Sequence, residues 1–281
     1  MSEWILIILQ IAIGFLLFWL GQLAYRKLFR RRMELNLELF VKDNSAVAIA
    51  LVGYYFGIVI ALGGVLDKTL SILPEKLLNL ASYGCLVILL MLAGSWVGDR
   101  LILKHFDCDR EIIQERNIGA AFVEAGNHIA NGLILNASLG GEGGNLLVGF
   151  ACWLIGLGVL VLASAVYPRF AKYNVFREIE KRNNPAAGIA CAGLLVATGN
   201  IVRIAFAPEF QDWVSSFRVY GLNLLFCLAL LVAIRWFADL ILVPGVKISD
   251  EIVNQEVPNL GAGLIEAFAY IAASFLIAWP F

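Results

Sequence analysis

Eight apolar runs, separated by short polar stretches, set the pattern of this chain. They cover residues 4–24, 45–66, 79–103, 118–139, 145–167, 186–207, 219–243 and 260–279. Each matches the roughly 20 residues a helix needs to cross a bilayer core. The pattern predicts an all-α membrane protein with eight transmembrane helices. The first run reads as a retained span: Met1-Ser2-Glu3 offers no basic leader, and the basic cluster follows the run instead of preceding it. Composition points the same way. At 60% hydrophobic residues and a mean hydropathy of +0.82, the chain is too apolar for an ordinary soluble domain. A net charge of −1 gives no case for nucleic-acid binding.

The placement of charge says more than its sum. Arg26, Lys27, Arg30, Arg31, Arg32 and Lys42 follow the first run. Lys104, Arg110 and Arg116 follow the third, Arg169, Lys172, Arg177, Lys181 and Arg182 the fifth, and Lys247 the seventh. The opposite loops hold only Lys68, Lys76 and Arg218. Fifteen bases against three, by the positive-inside rule, place the odd-numbered loops in the cytoplasm and both termini outside. Segments 26–43 and 169–183 mix bases with Leu35, Leu37, Leu39, Val175, Phe176 and Ile179. They could lie on the bilayer surface against anionic lipid; topology control by the bases alone is the preferred reading. Trp4, Trp19, Trp213 and Trp279 fall near the expected interfaces.

The chain also repeats itself. Asn117-Ile118-Gly119-Ala120-Ala121-Phe122-Val123-Glu124-Ala125 returns as Asn259-Leu260-Gly261-Ala262-Gly263-Leu264-Ile265-Glu266-Ala267, a shift of 142 residues. A shift of 140 places Asn44 on Asn184, Gly53 on Gly193, Gly57 on Ala197, Trp96 on Trp236, Asp99 on Asp239 and Glu111 on Glu251. Two membrane domains follow, 1–140 and 145–281, divided at the glycine-rich turn 140–144. Four spans per copy is an even number, so the copies enter the membrane in the same direction. A pseudo-two-fold axis along the membrane normal is the expected relation between them. Gly53 and Gly57, with Ala46 and Ala50, form a small-residue ridge for helix packing, repeated by Gly193 and Ala197. It could serve within a copy, between copies or between subunits.

Asn44-Ser45-Ala46-Val47-Ala48-Ile49-Ala50-Leu51-Val52-Gly53, continuing to Gly57 and Ala61-Leu62-Gly63-Gly64, together with the Asn…Glu-Ala motif, resembles the YjfL-like bacterial inner-membrane family, domain of unknown function 350. The resemblance spans nearly the whole chain as two tandem copies, with Ile201 and Arg203 departing from Ala61 and Gly63. It implies a multi-pass protein of the bacterial cytoplasmic membrane. It implies no established activity; some members look associated with envelope-stress or polyamine-related genes.

Carboxylates inside spans are costly and call for an explanation. In the fourth run Asn117, Glu124, His128 and Asn131 share one helix stripe, flanked by Asn127. Counted from Asn117 at 1.5 Å per residue, Glu124 lies about 10 Å deep and His128 about 16 Å, near the middle of a core of about 30 Å. The i,i+4 spacing lets Glu124 and His128 share a proton. The second copy keeps Glu266 but has Tyr270 and Ala273 in place of His128 and Asn131. That favours His128 as a working residue and leaves the two Glu residues open between packing and function. Arg235 and Asp239 are expected to neutralise each other, unless Arg235 reaches Glu266. Asp99 and Arg100 read as interfacial anchors and Arg203 as a snorkelling one, with Asn200 and Asn223 at an outer vestibule.

No metal, cofactor or catalytic set is expected. His105 and Cys108 match no ligand spacing, and the other cysteines lie in apolar runs. No nucleophile elbow, zinc-protease motif or phosphate loop occurs. The leading expectation is a non-enzymatic protein passing protons, ions or a small solute through the Glu/His/Asn groups. The alternative is a structural or envelope-stress protein that oligomerises and recruits cytoplasmic partners. The expected partners are the bilayer with its anionic lipids and a second copy of the chain.

Overall fold

The computed structural model describes residues 2–31, 33–65, 73–104, 107–140 and 145–280, and among these every regular element is helical. The long helices are α1 (Ser2–Ala24), α3 (Ser45–Val65), α4 (Leu73–Val97), α5 (Ile118–Gly140), α6 (Leu146–Ala171), α8 (Pro185–Ala205), α9 (Trp213–Phe237) and α11 (Leu260–Ala278). Three short helices lie between them: α2 (Leu35–Phe40), α7 (Val175–Arg182) and α10 (Ile248–Val253). Four five-residue π-helical turns complete the set. π1 (Tyr25–Phe29), π2 (Gly98–Ile102) and π4 (Ala238–Leu242) extend α1, α4 and α9; π3 (Arg110–Gln114) precedes α5.

Seven described helices are long and apolar enough to cross a membrane: Ile7–Phe29, Ser45–Val65, Leu77–Ile102, Leu146–Ala171, Pro185–Ala205, Trp213–Leu242 and Leu260–Ala278. They coincide with seven of the eight apolar runs. The run at 118–139 forms α5, which is as long as the others, but Glu124, Asn127, His128 and Asn131 lower its hydropathy. Those four side chains are all buried, so α5 is polar because it faces protein.

α3, α5, α8 and α11 form a central row, each packed on the next. All four run in the same direction. A Cβ on Gly53 would meet Ala125 and one on Gly57 would come within 2.4 Å of the His128 carbonyl; Gly126 faces Ala192, and Gly199 faces Ala130. Gly193 faces Ala267 as Gly53 faces Ala125. Glycine at these crossings lets backbones touch, which is how helices gain packing energy where lipid offers no hydrophobic drive. The ridge led by Gly53, Gly57, Gly193 and Ala197 therefore acts inside each copy, and a second glycine face on α5 and α8 joins the copies.

This junction corrects the expected two-fold axis. A two-fold would pair α5 with α8 and, reciprocally, α11 with α3. Instead α5 of the first copy docks on α8 of the second, head to tail, and α3 and α11 stay at opposite ends of the row. The end faces are built differently. Where α8 has Ala192 and Gly199, α3 has the exposed Val52 and Val59; where α5 has Gly126, α11 has the exposed Phe268. Bulky residues cap the array as terminal units do in repeat proteins.

A lock repeated four times sets the row's register. Asn44, Asn117, Asn184 and Asn259 each cap a long helix, with Oδ1 accepting from Ala46, Ala120, Ala187 and Ala262 at 3.1, 3.1, 3.1 and 3.3 Å. Each amide also donates to a preceding glutamate: Glu38 (3.1 Å), Glu111 (2.8 Å), Glu178 (3.3 Å) and Glu251 (3.0 Å). The first three reach onward to the next unit, at the carbonyls of Ile112, Ile179 and Ile252. The fold is thus four similar units handed one to the next. Val175, Phe176 and Ile179 of α7 are buried against protein, so that segment does not lie with its apolar face in lipid. The glycine turn at 141–144 lies outside the described residues.

Candidate functional site

A polar cluster forms where π1, π2, the start of π3 and α5 meet. A π turn holds an extra residue, so the side chains after it are rotated relative to a continuing α-helix. Arg30 caps π1, with φ −111° and ψ 62°, and its side chain turns inward until the residue is only 4% exposed. Arg30 Nη2 lies 2.5 Å from Glu124 Oε2, and Nη1 lies 2.8 Å from Asp109 Oδ1 and 3.2 Å from Asp99 Oδ2. Its Nε faces the Tyr25 oxygen at 3.4 Å, and the guanidinium sits 4.8 Å from the centroid of Phe29. The Tyr25 hydroxyl donates to Glu124 Oε1. One buried cation thus meets three carboxylates. Burial alone would penalise every one of these charges, and only their mutual pairing makes the arrangement tolerable.

The cluster continues up α5. His128 Nε2 lies 3.3 Å from Glu124 Oε1, and His128 Nδ1 lies 3.1 Å from Ser95 Oγ on α4. Ser95 Oγ is also 2.8 Å from the Met91 carbonyl. The rings of Tyr25 and Tyr54 stand edge-on to His128, at 5.8 and 5.4 Å between centroids. One turn further, Asn131 accepts from Trp153 Nε1 at 2.9 Å and donates to the Leu90 carbonyl at 3.4 Å. Asn127 packs against Gly98, where an added Cβ would come within 2.2 Å of its amide nitrogen. At the end opposite the basic loops lies a cavity of about 490 Å³, lined in part by Tyr83, Gly149, Cys152 and Tyr220.

The structure brings Glu124, His128, Asn131, Asn127 and Asp99 together. It moves Asp99 from an interfacial anchor to a partner of Arg30. Asp239, its counterpart, accepts from the Ile248 backbone at 3.2 Å and so caps α10. The Arg235 side chain and His105 lie outside the described residues. Glu266 is not in the cluster. It receives the Tyr167 hydroxyl at 2.9 Å in the second copy, the same geometry as Tyr25 and Glu124, with 99 residues between partners in both cases. Asn200 is fully buried and donates to Ser274 at 3.2 Å, with Arg203 Nε on its oxygen at 2.9 Å; this pair belongs to the interior and lines no vestibule.

Five participants escaped the sequence reading: Tyr25, Arg30, Ser95, Asp109 and Trp153. Tyr25 and Tyr167 are related by the same shift of 142 as the glutamates, which is the signal that could have exposed them. Arg30 is masked by the topology bases around it. Cys108 is buried next to Asp99. Asp99, Cys108 and Glu124 bring ligand-type atoms within 4.8 Å of one another. Burial, with Asp99 and Glu124 nearby, pushes the Cys108 thiol well above its usual range. Arg30 already supplies the positive charge a metal would bring to these carboxylates.

A comparison with curated proteins and one with solved structures return no match. The internal repeat fits a family model that matches twice, over residues 1–139 and 143–281: the chain belongs to the family described as Domain of Unknown Function (DUF350).

Proposed function

We propose that this chain is an eight-span protein of the bacterial cytoplasmic membrane, both termini outside, whose first copy binds and transfers protons at Glu124 and His128. Proton movement there is coupled to passage of an ion or small solute. The reading is non-enzymatic. The fifteen-to-three bias of basic residues supports the orientation.

The observation that carries the proposal is the chain Ser95–His128–Glu124. Ser95 has one hydroxyl proton and two acceptors within reach. If that proton goes to Met91, His128 Nδ1 must donate to Ser95, and the contact between Nε2 and Glu124 needs a second proton. If it goes to His128, the imidazole is neutral and Nε2–H alone faces Glu124. Turning one hydroxyl therefore changes the proton count of the pair by one, with no heavy atom moved. Asp99 and Asp109, 23% and 28% exposed at their side chains, lead from Arg30 toward the basic, cytoplasmic end. On the other side stand Asn131 and Trp153, and neither an amide nor an indole exchanges protons near neutral pH. Access from one side at a time is what a coupled carrier needs.

The oligomeric scaffold reading drew on the small-residue ridges and the charged inner loops; the ridges are taken up by packing within the chain. Proteoliposomes with a trapped pH dye and imposed pH and cation gradients test the proposal. Flux should fall at least tenfold in folded Glu124→Gln and His128→Gln proteins and persist in Glu266→Gln. A folded wild type that moves no protons under any gradient overturns the proton reading.

A further inference from the structure

At the basic end, where π2 of the first copy meets α6 and α7 of the second, the surface opens into a pocket of about 780 Å³. Five basic side chains line it, Lys104, Arg169, Lys172, Arg177 and Lys181, against one acid, Glu180. All five are exposed, and among the described residues only Lys181 makes an ion pair, with Glu180 at 3.2 Å. Part of the wall is apolar: Leu101, Val161 and Pro168. Leu101 and Val161 belong to the membrane-crossing segments Leu77–Ile102 and Leu146–Ala171. The pocket therefore straddles the boundary between hydrocarbon and water.

Lys172 adds an independent observation. It closes α6 in the left-handed conformation, φ +64°. That position suits glycine, and a lysine there carries a backbone cost. Its side chain lies in the pocket. The repeat relation makes the same point: Lys172 stands where the first copy has Arg30, but Arg30 turns into the core and Lys172 turns to the pocket.

We infer that this pocket is a binding site for the phosphate headgroup of an anionic membrane phospholipid, with its acyl chains along Leu101 and Val161. The unpaired bases match a phosphodiester in charge, the apolar wall matches the first methylenes, and the depth matches a headgroup. The site is separate from Glu124 and His128, so it stands or falls independently of proton transfer.

The test uses the full chain in neutral phosphatidylcholine nanodiscs, with a fluorescent phosphatidylglycerol titrated in. Lys172→Gly removes a charge at a position where glycine is at ease, so the fold is spared. Lys172→Glu and Arg177→Gln test charge further, and Lys247→Gln, an exposed base outside the pocket, is the control. Lipid preference should fall about fivefold per base removed, further for Lys172→Glu, and stay unchanged in Lys247→Gln. Glycerol phosphate at millimolar concentration should not compete. Equal affinity in all variants overturns the inference. So does full displacement by glycerol phosphate, which would make the ligand a soluble phosphate.

Discussion

The pair Tyr25–Glu124 and the pair Tyr167–Glu266 are one construction made twice, and their surroundings differ. Both glutamates are buried and both receive a tyrosine hydroxyl from the helix before the basic loop. Around Glu124 the chain adds Arg30, Asp99, Asp109, His128 and Ser95. Around Glu266 the His128 position is Tyr270, the Asn131 position is Ala273, and the Asp99 counterpart caps α10. The difference begins in backbone geometry. α1 ends in a π turn that swings Arg30 inward, whereas α6 runs on as an α-helix to Ala171 and turns Lys172 outward. The tyrosine contact is thus common framework, while His128, Ser95 and the inward-turned Arg30 belong to the first copy. Duplication supplied the frame twice, and the residues around it differ between the copies.

The sharpest way to break this comparison is to remove the cation. Arg30→Met leaves Glu124 buried with Asp99 and Asp109 nearby, and uncompensated buried charge costs about 3–5 kcal/mol. Lys172→Gly, at the matching position, should leave the unfolding midpoint in detergent unchanged. Restoring neutrality with Arg30→Met/Glu124→Gln should recover much of the loss, since the two residues act as one unit. If Arg30→Met melts with the wild type, the cluster does not hold the first copy together.

A smaller effect separates the two tyrosines. Tyr167→Phe takes the hydroxyl donor from Glu266, and losing a hydrogen bond to a buried carboxylate costs about 2 kcal/mol. Tyr25→Phe should cost less, about 1 kcal/mol, because Glu124 keeps Arg30 and His128. Thermal melts of the two proteins side by side decide this. The reverse order would mean that the charge cluster depends on Tyr25 for its geometry, and the shared frame would then be the wrong description.

How much of this was legible in the sequence depends on how each feature is encoded. Helices and repeat were readable because apolar run length and the Asn…Glu-Ala motif are local. Glu124, His128 and Asn131 were readable because one helix stripe carries all three. Arg30 and Tyr25 lie 94 and 99 residues from Glu124, and nothing local marks a π turn. The head-to-tail junction was hidden because Gly119, Gly126, Gly188 and Gly199 lie on a second helix face that the Gly53 ridge does not reveal. The four locks were within reach: Glu and Asn recur six residues apart at 38 and 44, 111 and 117, and 178 and 184, and eight apart at 251 and 259.

Those locks extend the comparison from two copies to four units, and they set the smallest effect. Asn117 is 1% exposed and makes a cap, a bond to Glu111 and an onward bond to the Ile179 carbonyl. Asn259, exposed at the end of the row, makes the cap and a bond to Glu251 with no further unit to reach. Asn117→Ala should therefore cost about 2 kcal/mol, the upper end for losing a cap, because it also strands Glu111 and the Ile179 carbonyl in the interior. Asn259→Ala should cost about 0.5 kcal/mol, the lower end, because water replaces what is lost. Hydrogen exchange gives a second readout: Asn117→Ala should loosen α7 as well as α5, since the onward bond crosses between copies. Loosening confined to α5 would show that the copies are held by the glycine faces alone, and that the lock sets register only within each unit.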